Sequence, residues 1–419
     1  MSRNQPALAC VLGDMDLVRP LGLAGVKCAV AVPPGAASRY SRFTVHSLEW
    51  AHPWERPDQL VEALVEFGKV QRERPVLFFQ SDGDLLLVSR NRDLLQKFFR
   101  FAIAEQTLVE DLVDKERFQI LAERLQLPVP PAQRLRSMED VPEMTVRFPI
   151  IVKPLTRRPE LWKSVVDSGK ALRIETLEEL RSLWSRLRAS GVEMLAQELI
   201  PGGESAIESY HVYVDEDGTI VGEFTGRKIR TYPREYGDST ALETTNATDV
   251  RMLGRQLVTR LNLRGVAKFD FKRAPGGELY LLEVNPRFNL WHHLGALAGV
   301  NLPALVYNDL MGQPKPEMTT AVAGMRWCRA WQDVLAARQS KVKMIPWVRW
   351  TIACDAKRLI AWDDPMPIIG GALWRVMDFM KNARNRALFR VIRGSFSKLH
   401  NGDPRNTRNN TNRLEFDSK

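Results

Sequence analysis

The segment from Val266 to Asn285 restricts the fold more than any other part of the chain. Residues 268–272 alternate charged side chains with phenylalanine, and residues 280–285 place Glu283 and Asn285 together on one face of an extended chain. An alternation with period two is typical of strands with one buried face. Pro275-Gly276-Gly277, between the two runs, indicates a turn. The sequence therefore predicts a β-hairpin with one apolar and one polar face.

The polar face of this hairpin carries two carboxylates. In the register that pairs Arg273 with Glu278, Asp270 and Glu283 are diagonal neighbours on one face, with their backbones ~7–8 Å apart. Because Mg²⁺ prefers oxygen ligands, these carboxylates and the amide oxygen of Asn285 predict a Mg²⁺ site. A solvated sheet face with ordinary cross-strand ion pairs is the alternative.

Strands and helices alternate in the first quarter of the chain. Residues 7–32 predict a strand, a helix and a second strand, and residues 76–80 predict another buried strand before a helix. This alternation implies a parallel sheet. No Gly-x-Gly-x-x-Gly motif follows the first strand, so we expect a Rossmann-like domain that supports the fold without a dinucleotide of its own.

Four motifs, in the expected order, resemble those of the ATP-grasp ligases. Residues 270–272 and 281–287 are similar to the C-terminal signature of this superfamily. Upstream, Asp114-Lys115 at a helix start, residues 150–154 on a strand and residues 197–204 at a hinge resemble its nucleotide-binding motifs. The resemblance implies a nucleotide held between two α+β lobes.

The resemblance extends over about residues 110–305 and implies a role for each motif. Two lysines would contact the α- and β-phosphates of ATP, a hinge would bind adenine and ribose, and oxygen ligands would hold Mg²⁺, with Mn²⁺ as an alternative. An arginine would steady the transferred phosphoryl group, because phosphoryl transfer requires charge neutralisation. By resemblance these residues are Lys115 and Lys153 for phosphate, Glu198, Leu199 and Ile200 for adenine, Glu204 for ribose, Asp270, Glu283 and Asn285 for metal, and Arg287 for the phosphoryl group.

Two further segments, residues 227–237 and residues 18–22, resemble carboxylate–amine ligases of the D-aspartate ligase type. Strand alternation places Lys228 and Arg230 on one face and Arg227 on the other. We therefore expect Lys228 and Arg230 to bind a phosphate or an anionic substrate. A basic outer strand without a ligand is the alternative.

The residues that follow Arg287 depart from one branch of the superfamily. Some ATP-grasp branches, carboxylases among them, have a Glu-His pair where this chain has Trp291 and His292. This difference argues against a bicarbonate-using carboxylase. A histidine beside tryptophan at a helix start more often packs or caps than acts as a base, and we expect this of His292 and His293.

The positive charge of the chain is concentrated near its C-terminal end. The 419 residues have a formal net charge of +10, and residues 371–419 hold eleven Lys and Arg against four Asp and Glu, a net +7. The remainder is close to neutral, so no nucleic-acid partner is expected. Residues 373–393 predict a basic amphipathic helix that either contacts an anionic membrane or packs as a cap on the rest of the protein. The last residues predict a disordered tail.

We predict an α/β and α+β protein in three parts. These are a Rossmann-like domain at 1–112, a two-lobed ATP-grasp domain at 113–312 with lobes at about 113–196 and 197–312, and a mainly helical, Trp-rich extension at 313–419. The chain has no recognisable signal peptide, no run of ~18 apolar residues and no paired cysteine spacing. We therefore expect a cytoplasmic protein. Peripheral contact with the inner face of the membrane and assembly into homo-oligomers are two alternatives that the sequence leaves open.

The expected activity is ATP-dependent ligation of a carboxylate to an amine. The carboxylate would take the γ-phosphate to give an acyl phosphate and ADP, and the amine would then displace phosphate. Residues 156–170 predict a lid, because an acyl phosphate must be protected from water. The alternatives are a catalytically silent ATP-binding regulatory protein and a membrane-associated adaptor that uses the basic C-terminal segment.

Overall fold

The computed structural model describes residues 6–137, 140–141, 144–155, 171–187 and 193–381. The predicted lid, the predicted tail and the end of the predicted basic helix lie outside these residues. Three sheets organise the described part of the chain: a parallel sheet of four strands, an antiparallel sheet of four strands and a mixed sheet of seven strands.

The N-terminal sheet consists of β1 (Ala9–Leu12), β2 (Cys28–Val30), β3 (Thr44–Ser47) and β4 (Val76–Phe79), all parallel. The strand order is β3-β2-β1-β4, which confirms the Rossmann-like arrangement predicted from the alternation. The chain changes direction across the sheet between β1 and β4. At such a switch point, ligands bind beyond the carboxyl ends of the strands.

Helices cover both faces of this sheet. One helix contributes Leu17 and Leu21 to the core on one face, and another contributes Leu60 and Leu64 to the core on the opposite face. The helices up to the second sheet are α1 (Met15–Leu23), α2 (Pro57–Lys69), α3 (Asp82–Arg90), α4 (Arg92–Leu95), α5 (Gln106–Val113) and α6 (Lys115–Arg124).

The second sheet is antiparallel and has a hydrophobic cluster of its own. Its strands are β5 (Ala132–Leu135), β6 (Ile150–Pro154), β7 (Leu172–Ile174) and β8 (Met194–Glu198), in the order β5-β8-β6-β7. The helix α7 (Leu177–Leu187) packs Leu180 and Trp184 against the buried side of these strands. This unit corresponds to the first of the two predicted lobes.

The third sheet carries the predicted hairpin. Its order is β13-β12-β9-β10-β11-β14-β15, and all of its neighbouring strands are antiparallel except the last two. The strands are β9 (Ile207–Val214), β10 (Ile220–Tyr232), β11 (Asp238–Thr245), β12 (Gly265–Arg273), β13 (Leu279–Asn285), β14 (Arg326–Cys328) and β15 (Ala356–Lys357). The helices α8 (Thr248–Arg260), α9 (His292–Leu297), α10 (Leu302–Leu310), α11 (Ala330–Gln339) and α12 (Met344–Ile352) accompany it.

The described part of the C-terminal extension is mainly helical, as predicted, and it also contributes two short strands to this sheet. Trp327 of β14 is fully buried and pairs with Leu242 of β11, and β15 adds to β14 in parallel. Strands of three and two residues are too short to show the alternation by which strands are recognised. The extension is therefore continuous with the sheet that carries the hairpin.

The hairpin of β12 and β13 forms as predicted, but its register differs. Asp270 lies directly opposite Glu283, whereas the predicted register made them diagonal neighbours. Arg273 pairs with Leu279, one residue from the predicted partner, and an irregularity beside Asp270 leaves out Leu282 and shifts the pairing by one more residue. Such a bulge inserts a residue into one strand. Because the two shifts add up to two residues, both carboxylates stay on the same face.

The hydrophobic core crosses the predicted boundary near residue 112. One buried cluster joins Leu12 and Phe79 of the N-terminal sheet to Tyr210 and Phe269 of the large sheet, with Leu112 among its members. The two sheets therefore share one core. The boundaries of the three predicted domains remain a prediction.

The last described helix, α13, spans residues 366–381 and contacts the N-terminal part near its start. The indole of Trp374 lies so close to Gly35 that a Cβ there would come within 2.1 Å of the ring, and a Cβ at Gly370 would come within 2.4 Å of the ring of Tyr40. A residue with a side chain at either glycine would displace the aromatic ring. This contact supports a packed cap over the first turns of the helix.

The remaining face of α13 is apolar and exposed. The predicted apolar stripe lies on this face: Leu373, Met377 and Met380 are 58%, 67% and 64% exposed. The stripe is therefore largely uncovered by the described residues, and contact with a membrane stays a prediction. Among the described helices, none has the length and hydropathy needed to cross a bilayer.

Candidate active site

Asp270 of β12 forms the centre of a buried cluster of charged side chains. It is 1% exposed, and its carboxylate accepts hydrogen bonds from Lys268 Nζ at 2.7 Å, from Lys228 Nζ at 3.0 Å and from the Ser209 hydroxyl. Burial alone would raise the pKa of Asp270, but the two ammonium groups outweigh it and hold the pKa well below its ordinary value. Asp270 is thus a carboxylate at neutral pH.

The predicted metal ligands lie together on the hairpin. Glu283 faces Asp270 across the strands, and Asn285 donates from Nδ2 to Glu283 Oε1 at 3.0 Å. Among the described residues, no three His, Cys, Asp or Glu side chains cluster in a way that could hold a metal on their own. Two carboxylates and one amide oxygen nevertheless suit Mg²⁺, which usually takes one or two carboxylates and completes its shell with phosphate and water.

Two predicted phosphate ligands lie on or against β6. Lys153 donates to Gln197 Oε1 at 3.0 Å, and Lys115, in the first turn of α6, donates to the carbonyl oxygen of Pro154 at 2.7 Å. Burial lowers the pKa of Lys153, while the carboxylate of Glu283 acts in the opposite direction. The ammonium group of Lys153, on the second sheet, and the carboxylate of Glu283, on the third, therefore lie close enough to interact electrostatically.

The hinge residues have protein partners. The carboxylate of Glu198 accepts from the backbone N of Arg147 at 3.0 Å and from its guanidinium at 3.3 Å. Burial raises the pKa of Glu198, but these hydrogen bonds outweigh it and the pKa is lowered. The backbone N of Leu199 donates to the Pro149 carbonyl oxygen. An adenine ring would therefore have to use the other backbone groups of Leu199 and Ile200, and that role stays a prediction.

Glu204, the predicted ribose ligand, lies beside the second half of β10. It accepts hydrogen bonds from the Thr231 hydroxyl and from the backbone N of Glu235. Lys272, for which the sequence predicted no role, donates to the carbonyl oxygens of Gly202 and Gly203 at 2.6 and 2.7 Å. Lys272 thus fixes the hinge loop to the hairpin. The alternation in the sequence already predicted that Lys272 lies on the same strand face as Asp270.

Lys228 and Arg230 do not point to the same place, although strand alternation predicted that they would. A bulge at Ile229 interrupts the pairing of β10 with β11 and changes the alternation. Lys228 therefore reaches Asp270, whereas both Nε and Nη2 of Arg230 donate to the fully buried Asp333 at 2.9 and 2.7 Å. Arg230 belongs to a contact with the C-terminal extension.

Arg287 links the hairpin to the N-terminal sheet. Its Nε donates to Asp82 Oδ1 at 2.6 Å, its Nη1 to the carbonyl oxygen of Gln80 at 2.9 Å and its Nη2 to Asn285 Oδ1 at 3.3 Å. Gln80 and Asp82 follow β4, at the switch point of the parallel sheet. Arg287, the predicted phosphoryl ligand, thus lies between the hairpin of β12 and β13 and the carboxyl end of β4.

The histidines near this site are buried. His292 is fully buried and His293 is 4% exposed, and burial lowers the pKa of His292 to about 3 and that of His293 to about 4. His211 is stacked on Phe224 with ring centroids 4.4 Å apart, and burial lowers its pKa well below the ordinary value. Neutral, buried imidazoles agree with the predicted packing role of His292 and His293.

A family model supports the motifs of the large sheet. Residues 192–330 match the family described as ATP-grasp in the biosynthetic pathway with Ter operon. This range contains the hinge, β9 to β13 and the start of the C-terminal extension. It includes all the residues predicted to bind the metal.

One protein of known activity is similar in sequence to this chain, and two solved structures are similar to it in fold. The D-aspartate ligase of Enterococcus faecium (strain Aus0004) is 25% identical over 314 residues, which cover 71% of this chain and 74% of that protein. The crystal structure of N5-carboxyaminoimidazole ribonucleotide synthetase with ADP has a TM-score of 0.58 at 15% identity, covering 78% of this chain and 82% of the other. The L-amino acid ligase from Bacillus licheniformis has a TM-score of 0.56 at 13% identity, covering 74% and 75%. The chain therefore has the fold of the ATP-grasp ligases and is similar in sequence to members of that superfamily, among them a D-aspartate ligase.

Proposed function

We propose that the protein is an ATP-dependent carboxylate–amine ligase. A substrate carboxylate attacks the γ-phosphorus of ATP, the bond to the bridging oxygen breaks, and an acyl phosphate and ADP are formed. An amine then attacks the acyl carbon, phosphate leaves, and the amine loses a proton. The D-aspartate ligase relative supports this class of reaction.

The observation that carries the proposal is the position of Arg287. It contacts Asn285 of the hairpin formed by β12 and β13, which we call the metal hairpin, and on its other side it contacts Gln80 and Asp82, which follow β4 at the switch point and border what we call the crevice. A phosphoryl group held by the hairpin and a carboxylate in the crevice would therefore meet at one guanidinium. Arginine suits this position because its forked donors match the oxygens of phosphate and carboxylate.

The chain supplies the other charges that phosphoryl transfer needs. We assign Lys115 and Lys153 to the phosphates of ATP, and Asp270, Glu283 and Asn285 to Mg²⁺. When bound, Mg²⁺ would neutralise phosphate charge. Positioning and charge neutralisation account for most of the catalysis in this type of reaction.

Lys228 has a separate role in the proposal. In the described structure, it shares the Asp270 carboxylate with Lys268. When a cation takes that carboxylate, the Lys228 ammonium is free to pair with an anionic ligand instead. Arg230 is left out of the catalytic set, because its guanidinium is paired with Asp333.

The test uses hydroxylamine in place of the unknown amine, because it traps an acyl phosphate as a coloured hydroxamate. The purified chain is incubated with ATP, Mg²⁺ and single carboxylates, and both ADP and hydroxamate are measured. At least one carboxylate should give the two products in equal amounts. If ATP binds and no carboxylate gives ADP or hydroxamate, the silent nucleotide-binding alternative is correct.

A matched pair of lysine variants connects the activity to the site. Lys153→Ala should weaken ATP binding by at least ~10-fold, because a charged hydrogen bond to phosphate is lost. Lys69→Ala removes a lysine whose ion pair with Glu66 is on the surface, and it should leave ATP binding unchanged. Equal ATP affinity in the two variants would contradict the assignment of Lys153.

A further inference from the structure

Lys272, near the end of β12, contacts the segment that joins the second sheet to the third. This segment, residues 199–206, connects β8 to β9, and we call it the hinge loop. Lys272 Nζ donates to the carbonyl oxygens of Gly202 and Gly203 at 2.6 and 2.7 Å. Hydrogen bonds from an ammonium group are stronger than those between neutral groups. One side chain of the third sheet therefore holds two consecutive peptide groups of the hinge loop.

The backbone of the hinge loop passes close to β12 at this point. Gly202 has a φ of +120°, a conformation that residues with a side chain rarely adopt. A Cβ at Gly202 would lie 3.1 Å from Cβ of Ala206 and 3.6 Å from both Cε of Lys272 and the carbonyl oxygen of Arg273. The loop conformation that brings the two carbonyl oxygens to Lys272 thus depends on glycine.

The strand gives Lys272 a fixed base. β12 pairs with β9 on one side and with β13 on the other over the residues that include Lys272. The next residue, Arg273, forms ion pairs with Glu208 of β9 and Asp249 of α8. The ammonium group therefore reaches the hinge loop from a strand that is held on both edges and at its end.

The same face of β12 carries the central carboxylate of the site. Lys272 and Asp270 are two residues apart, which corresponds to ~7 Å along a strand. We assign Asp270 to Mg²⁺, and the hinge loop carries Glu204, the residue predicted to bind ribose. One strand therefore sets the distance between the metal ligand and the loop of the predicted ribose ligand.

The contact of Lys272 does not compete with a ligand of Glu204. The Glu204 carboxylate accepts from the Thr231 hydroxyl and from the backbone N of Glu235, and ribose hydroxyls would have to share it with these donors. Lys272 instead contacts the backbone of the two residues before Glu204. It can therefore hold the hinge loop in both the free and the nucleotide-bound protein.

The charges near Lys272 belong to the same region. Burial lowers the pKa of Lys272, whereas the carboxylates of Glu235 and Glu204 act in the opposite direction. The ammonium group thus interacts electrostatically with the carboxylate that it would help to position. This attraction adds to the hydrogen bonds that hold the loop.

We propose that Lys272 is a positioning residue for the nucleotide, which holds Gly202 and Gly203 so that Glu204 meets the ribose hydroxyls at a fixed distance from the metal carboxylates. This inference rests on the proposed function for the nucleotide and on the predicted role of Glu204. Lys272 acts through the loop and not by touching the nucleotide. A loop that is ordered before the ligand arrives lowers the entropic cost of binding.

Two nucleotides that differ only in their ribose hydroxyls test this role. Isothermal titration calorimetry with the full chain and Mg²⁺, without a carboxylate substrate, measures the affinities for ATP and for 2′,3′-dideoxy-ATP. The parent protein should bind ATP at least ~10-fold more tightly, the scale of a hydrogen bond to a charged group.

Lys272→Met removes the charge and keeps most of the side-chain length. It should weaken the binding of ATP by ~5-fold or more and that of dideoxy-ATP by less than ~2-fold, because the dideoxy nucleotide gains nothing from Glu204. A general loss of structure would weaken both nucleotides alike. Lys272→Arg should restore most of the ATP affinity, because a guanidinium can donate to two carbonyl oxygens.

The chain offers a matched control on β15. Lys357 also donates to two carbonyl oxygens, those of Ile352 at 3.3 Å and Cys354 at 2.9 Å. Lys357→Met removes an equivalent contact outside the hinge loop and should leave both affinities unchanged. Thermal midpoints show whether each variant folds, and Lys272→Gln, which can still donate a hydrogen bond, replaces Lys272→Met if the latter does not fold.

The outcomes separate this inference from the proposed function. If the parent protein does not bind ATP, both are wrong. If it binds the two nucleotides equally, or if Lys272→Met weakens both to the same extent or neither, the inference is wrong, and hydroxamate formation would still support the ligase. Loss of ribose selectivity in Lys272→Met and its recovery in Lys272→Arg support the inference even when no carboxylate gives hydroxamate.

Discussion

Nε of Arg287 lies 2.6 Å from Oδ1 of Asp82, which ties the metal hairpin to the first residue of α3. The arginine side chain is 18% exposed and that of the aspartate 46%, so the pair is half open to solvent. The carbonyl oxygen of Gln80 holds the same guanidinium from a second direction. We therefore expect the Arg287 side chain to keep its position when Asp82 is replaced. When Arg287 itself is replaced, we expect no other side chain to take over its contacts.

The first prediction follows from this asymmetry. Arg287→Gln should lower kcat by ~10²-fold or more, the scale of losing one preorganised electrostatic contact to the transferred phosphoryl group. Asp82→Asn should lower kcat by less than ~10-fold and change the free energy of unfolding by less than ~1 kcal/mol, because exposed ion pairs contribute little. Steady-state ADP release measures kcat, and the thermal midpoint measures stability, for both variants. Similar losses of kcat would mean that Asp82 also acts on the ligand.

The second prediction concerns the metal hairpin. Glu283→Gln removes one ligand charge and keeps the size of the side chain, so kcat should fall by ~10²-fold or more. The free energy of unfolding should hardly change, because the side chain is 55% exposed. Glu278→Gln, at the exposed loop of the same hairpin, is the control and should have normal turnover. Normal ADP release by Glu283→Gln at saturating Mg²⁺ would exclude Glu283 from the site.

The hairpin and the shared face of its two carboxylates could be predicted from the sequence because both depend on local alternation. Residues 268–272 show the period of two directly, and Asp270 and Glu283 fall on one face in both the predicted and the observed register. The bulges could not be predicted. Ile229 is the extra residue of a bulge in the pairing of β10 with β11. Because this pairing joins two separate segments, the local sequence pattern does not predict it.

The position of Arg329 and Arg358 beside Asp14 and Asp16 could not be predicted, for a different physical reason. Arg329 and Arg358 follow strands of three and two residues, and such short runs carry no recognisable period. They come together only because β14 and β15 add to the edge of a sheet formed by residues far away in the chain. The only indication in the sequence was an unusual density of tryptophan, and of these Trp327 proved to be a buried strand residue.

The third prediction separates structure from catalysis at Arg230. Arg230→Gln leaves the carboxylate of Asp333 buried with a weaker partner, which should destabilise the fold by ~3–5 kcal/mol. Trp347 Nε1 also donates to Asp333 at 2.9 Å, so the region around α11 and α12 should loosen as well. Chemical denaturation measures the loss of unfolding free energy. ADP release per folded molecule should remain within about threefold of the value for the parent protein. A fall in kcat without loss of stability would restore Arg230 to the catalytic set.

The fourth prediction concerns the pH dependence of stability. Burial raises the pKa of Asp16 from 3.8 to about 7. The folded chain therefore holds this proton more tightly than the unfolded chain, and the free energy of unfolding falls as pH rises from about 4 to about 7. Asp16→Asn cannot ionise, so its stability relative to the parent should increase between pH 5 and pH 8. Urea denaturation of both proteins across this range measures the difference, and a difference independent of pH would show that Asp16 ionises normally.

The fifth prediction concerns the C-terminal segment. A chain that ends at Lys381 should keep its thermal midpoint and its ADP release, because the residues that we assign to phosphate and metal all lie upstream. A chain that ends at Gly370 loses Trp374, whose ring lies against Gly35, and should be less stable by ~1–3 kcal/mol from the lost apolar contact. Trp374→Ala in the full chain is the control and should reproduce most of that loss. If the chain ending at Lys381 folds normally and yet releases no ADP, residues 382–419 take part in the reaction and the proposed division of the chain is wrong.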